Sequence, residues 1–91
     1  MPAYILSYDL NKPGQHYAEL IAELERSTDW WHYLKSTWIV IRSEGTTAAL
    51  GETLARLIDE NDRLLILAAK GPAAGWLTED AWQWINQHVP A

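Results

Sequence analysis

Residues 30–42 read WWHYLKSTWIVIR, and this run constrains the fold more than any other part of the chain. It is dense in aromatic and β-branched side chains, which suit a pleated, half-buried surface. It is also too long for one typical strand. Lys35 and Ser36 interrupt it near the middle, so the run predicts two successive strands joined by a turn or bulge. Alternation sends Trp30 and His32 to one face and Trp31 and Tyr33 to the other. One set is expected in the core. The other is a candidate exposed aromatic surface.

The rest of the chain supplies elements around that pair. Residues 3–8 alternate loosely and read as a strand, punctuated by Asn11, Pro13 and Gly14. From Gln15 to Arg26, Tyr17, Leu20, Ile21 and Leu24 recur on one helical face. Thr46 or Thr47 is placed to cap a second helix, whose Leu50, Leu54, Leu57 and Ile58 share a face. Gly51 weakens that helix by about 1 kcal/mol relative to Ala. Asp59 to Asp62 read as a solvated helix end.

Residues 64–69, LLILAA, are apolar throughout, the pattern of a strand covered on both faces or flanked closely. Gly71, Pro72 and Gly75 mark a loop. Thr78 then has the place of an N-cap, with Glu79 and Asp80 in the favourable first turn. Leu77 and Trp82 have the spacing of a hydrophobic staple. Trp76, Trp82 and Trp84 are expected to pin this short helix to the sheet or to another subunit. The order strand, helix, strand, strand, helix, strand, short helix predicts an α+β, ferredoxin-like βαββαβ sandwich with an antiparallel sheet. Residues 1–91 read as a single such domain with a short C-terminal helix.

Composition narrows the function classes. A domain of 91 residues has a modest core and often gains stability by oligomerising. With no cysteine, disulfides, thiolate zinc sites and cysteine catalysis are excluded. The absence of Cys fits a cytoplasmic protein. No secretory signal pattern is legible, and no apolar stretch approaches the roughly 20 residues of a membrane span. The net charge of −5 argues against strong nonspecific binding to nucleic acid, which needs clustered Lys and Arg.

Three stretches carry a family resemblance: YDLNKPGQ at residues 8–15, DWWHYLKSTW at 29–38, and the helix leading into NDRLLIL at 61–67. They resemble the short bacterial proteins labelled SinR family, over nearly the whole chain. That set lies within the ferredoxin-like superfamily of CRISPR adaptation endoribonuclease-like proteins and virulence-associated protein D ribonucleases. No helix-turn-helix pattern accompanies the label. In the nuclease relatives an aspartate ending the first strand meets its symmetry mate in a dimer, and the pair holds a divalent metal. Asp9 is the matching position. The basic residues that follow it in those relatives are reduced here to Lys12.

The resemblance therefore implies a homodimeric, Mg²⁺- or Mn²⁺-dependent endonuclease, acting on RNA more than DNA. Asp9 from both chains would be metal ligand and catalytic centre. One Asp9 alone is insufficient, because Mg²⁺ takes near-octahedral oxygen ligands, with one or two carboxylates plus water and phosphate. The plain alternative is that Asp9 accepts backbone N–H bonds in the turn or at the following helix start. Lys12 and Gly14 beside it are candidates for phosphate contact, or an ordinary strand-to-helix turn. His32 is a candidate for proton transfer, or a packed residue. Trp30, Trp31 and Trp38 are candidates for base stacking or partner contact, or for core. Ser36 and Thr37 lack an adjacent base and read as turn residues. A second function class is a non-catalytic dimeric module that binds a protein partner, in a defence or toxin–antitoxin setting.

Overall fold

Four strands and three helices form in the computed structural model, which describes residues 2–11, 17–43 and 45–91. In chain order they are β1 (Ala3–Asp9), α1 (Tyr17–Glu25), β2 (Asp29–Leu34), β3 (Thr37–Ile41), α2 (Thr47–Ala55), β4 (Arg63–Ala68) and α3 (Glu79–His88). The sheet order is β2-β3-β1-β4, with every neighbouring pair antiparallel. This is the α+β, ferredoxin-like βαββαβ arrangement with an added C-terminal helix. No described helix is long and apolar enough to cross a membrane.

The aromatic run divides at Lys35 and Ser36. A bulge falls between Trp31 and Leu34, so the strand slips out of strict register just before its turn. β1 lies in the middle of the sheet. Ile5 pairs with Ile39 on one side and Leu67 on the other, while Leu6 pairs with Trp38 and Ile66.

One face of the sheet carries Tyr4, Leu6, Trp38 and Val40. It is covered by Leu20 and Leu24 of α1 and Leu50 and Leu54 of α2. These two helices earn their place through paired leucines one turn apart, which the helical period puts on one face. Thr46 caps α2, its hydroxyl accepting from the Ala49 N–H at 3.0 Å. The Trp38 indole N–H donates to the Tyr8 hydroxyl at 3.0 Å, so this buried ring keeps its polar atom satisfied.

The opposite face is covered only in part. Trp31, Ile39, Ile41, Ala3 and Ala69 pack under Ala81 and Ile85 of α3. Thr78 caps that helix, accepting from the Ala81 N–H at 3.4 Å, with Glu79 and Asp80 in the first turn. Trp31 donates its indole N–H to the Ala81 carbonyl at 3.2 Å. At the far end, Asp29 accepts from the Trp84 indole at 3.2 Å and lies 3.0 Å from Nε2 of His88. The Trp84 and His88 rings stack at 4.3 Å. These contacts fix α3 over β2 and β3 and leave β4 bare.

Of the two settings expected for residues 64–69, coverage on both faces is therefore corrected. β4 is an edge strand, and Leu65 and Leu67 remain 56% and 52% exposed. The apolar run looked like a central strand because sequence cannot report where the third helix stops. Truncation separates the two faces. Leu54→Ala should cost about 2 to 5 kcal/mol in urea unfolding, as a cavity in a closed core. Leu65→Ala should change stability by about 0.5 kcal/mol or less. Equal losses would mean that the bare strip is covered after all.

Candidate functional site at the end of the first strand

Asp9 is the last residue of β1 and is exposed. It sits opposite Arg63, the first residue of β4. The two flank a shallow groove of about 260 Å³, lined also by Ser7, Tyr8, Leu64 and Leu65. Arg63 does not pair with Asp9. Its guanidinium turns back along its own loop, donating to the Asp62 carbonyl at 3.0 Å and the Glu60 carbonyl at 3.5 Å. The Asp9 carboxylate makes no hydrogen bond or ion pair with any described residue.

The carboxylate that organises this corner is Asp62. It is only 5% exposed. One oxygen accepts from the Asn11 N–H at 2.7 Å and the Tyr17 hydroxyl at 2.8 Å. The other accepts from the Asp59 N–H at 2.7 Å. Asn11 adds a side-chain bond to the Asn61 carbonyl at 2.7 Å. The exit of β1, the start of α1 and the loop before β4 are thus tied to one side chain. The reading of Asp59 to Asp62 as a solvated helix end is corrected at Asp62, where burial and three donors define a structural anion. Within the DEND run nothing local distinguishes it, since its main partners lie 51 and 45 residues away.

The other candidates are distributed as follows. Lys12 and Gly14 lie outside the described residues. His32 stacks on Trp38 at 3.9 Å, with Nε2 3.1 Å from the Lys35 carbonyl. Trp38 belongs to the face under α1 and α2. Strand alternation turns Asp9 the other way, with Ile5 and Ser7. His32 is also two strands removed from β1, so the fold does not bring these two catalytic candidates together within one chain. Trp31 and Trp38 are buried in separate clusters, which withdraws both from base stacking or partner contact. Trp30, tilted against Trp38 at 5.3 Å, keeps 39% exposure. Thr37 contacts Ser7 through hydroxyls 3.4 Å apart, with no base beside them.

Among the described residues no group of three His, Asp or Glu side chains is gathered to hold a metal ion. One chain offers a single carboxylate with an arginine on the neighbouring strand. That set does not fit Mg²⁺ or Mn²⁺ by itself. No family model, curated protein or solved structure matches the chain.

The two aspartates should respond differently to the same change. Asp62→Asn turns an N–H₂ group toward N–H donors and should cost about 1 to 3 kcal/mol in a denaturant titration. Asp9→Asn should stay within about 0.5 kcal/mol of wild type. A large loss at Asp9 would reassign it to the turn.

Proposed function

We propose that the protein is a dimeric interaction module that takes an extended segment of a protein partner along β4. One observation carries this reading. Leu65 and Leu67 stand more than half exposed on an edge strand, with Ile5 beside them on β1. Among the described residues the outer edge of β4 has no strand neighbour, so its N–H and C=O groups are open to another strand. An added strand would gain main-chain hydrogen bonds from that edge, while the leucines would select apolar side chains at alternate positions.

The double variant Leu65→Lys, Leu67→Lys tests it. The charges fall on exposed positions, so folding should be kept. Proteins retained from extract by the immobilised wild type should be lost with the variant. An identical retained set would sink the reading.

A second reading rests on a different observation. Asp9 ends β1 without a described partner, while Asp62 does the work of the turn. Two Asp9 carboxylates brought together across a twofold axis would supply the ligand pair that one chain lacks. Bound there, Mg²⁺ or Mn²⁺ would supply an activated water for phosphodiester hydrolysis, with RNA the favoured substrate. Metal-dependent cleavage of labelled single-stranded RNA should then vanish in Asp9→Asn. Cleavage that survives the substitution, or no cleavage by the wild type, would end this second reading.

A further inference from the structure

The segment between β4 and α3 holds a feature that neither reading uses. Trp76 is 98% exposed, so of the two roles expected of it, pinning α3 to its own sheet is not the one it takes. Trp82 and Trp84, the other two of that group, do pack against the second core cluster. Gly75, just before Trp76, has φ +155, a setting that L side chains rarely adopt. The chain therefore holds the largest apolar side chain out in water with a residue chosen for backbone geometry.

Beside Trp76 lies a groove of about 630 Å³. Its lining includes Ala73 and Ala74 from the loop and Trp82, Asn86 and Val89 from α3 and its C-cap, with Pro90 against Gly71 at one end. The Asn86 amide makes no hydrogen bond with a described residue. The groove thus offers an indole an aromatic face, apolar walls and a carbonyl acceptor for its N–H.

We propose that two copies of the chain associate by exchanging Trp76, each indole seated in the other copy's groove against Trp82 and Asn86. The knob and the socket are neighbours on one loop, so a twofold axis beside that loop satisfies both contacts at once, as an isologous interface requires. This rests on the dimeric reading above and specifies its contact. An indole buries on the order of 150–250 Å². Two indoles with their sockets remove roughly 600–1,000 Å², below the roughly 1,200 Å² at which standard specific interfaces begin and in the range of a weak, transient dimer. The contact lies at the end of the sheet where Tyr4 pairs with Ala68, while Asp9 pairs with Arg63 at the other end. An exchange of Trp76 therefore keeps the two Asp9 side chains apart.

Sedimentation equilibrium of the full chain through the micromolar range tests the proposal with two variants. Trp76→Ser removes the knob, and Ala74→Arg fills the socket. Both positions are exposed, so thermal midpoints should match wild type. A wild-type dimer whose dissociation constant rises roughly thirty-fold in each variant, as for loss of a buried aromatic anchor, is the expected result. A wild-type dimer that both variants retain overturns the exchange and leaves the dimeric reading standing. A wild type that stays monomeric throughout overturns both.

Discussion

A four-stranded sheet has two faces, and this chain has three helices to cover them. α1 and α2 take one face and close it with Leu20, Leu24, Leu50 and Leu54 over Leu6, Trp38 and Val40. α3 alone must serve the other. It is fixed over β2 and β3 by the Trp31 indole at Ala81 and by Asp29 at Trp84 and His88. Its position is thus decided at the β2 edge. At the opposite edge, on β1 and β4, Ile5, Leu65 and Leu67 are left without a helix over them, while Tyr33 and Leu34 stay half exposed at the end of β2. Burying them would remove about 25 cal/mol for each Å² of apolar surface, so their exposure is a standing cost that a partner can relieve.

A second division of labour concerns the carboxylates. The loops meeting at the end of β1 need one anion to receive the N–H groups of Asn11 and Asp59 and the Tyr17 hydroxyl. Asp62 supplies it from within. A buried carboxylate is tolerable because three donors replace its water. Asp9 is thereby relieved of structural duty and stands exposed. Relief is permission for a functional role and does not amount to one. The same corner holds Arg63, but its guanidinium donates to the loop carbonyls of Glu60 and Asp62 and forms no ion pair with Asp9.

Much of the fold was legible in the sequence because it is written locally. The Lys35–Ser36 break, the caps at Thr46 and Thr78, and the leucine spacing of the first two helices all act over a few residues. What escaped the sequence depends on distant contacts. Apolar residues at 64–69 mean the same thing on a central strand and on an edge strand, until the strand order is known. Asp62 looks like its neighbours in DEND until Asn11 and Tyr17 arrive from the far end of the chain. The aromatic run promised one exposed face, yet Trp31 and Trp38 are each consumed by a different core. Trp76 reads like Trp82 and Trp84 in the sequence, and only the loop around it decides that it stands exposed while they pack inward.

These particulars bear on which kind of partner the surface can recognise. Sheets that bind single-stranded nucleic acid present aromatic rings on their open face and surround them with cations. Here β1 and β3 carry Ile5, Ser7 and Thr37 on the open face, none of which can stack on a base, and the half-exposed ring of Tyr33 on β2 is tilted against Trp31 at 5.3 Å. Of the seven basic residues, Arg42 is buried and donates to Glu23 at 2.8 Å and to the Glu23 carbonyl at 3.0 Å. With a net charge of −5, the long-range field repels phosphate. A protein segment needs neither rings nor cations. It needs an unpaired strand edge and apolar side chains at alternate positions, and β4 offers both.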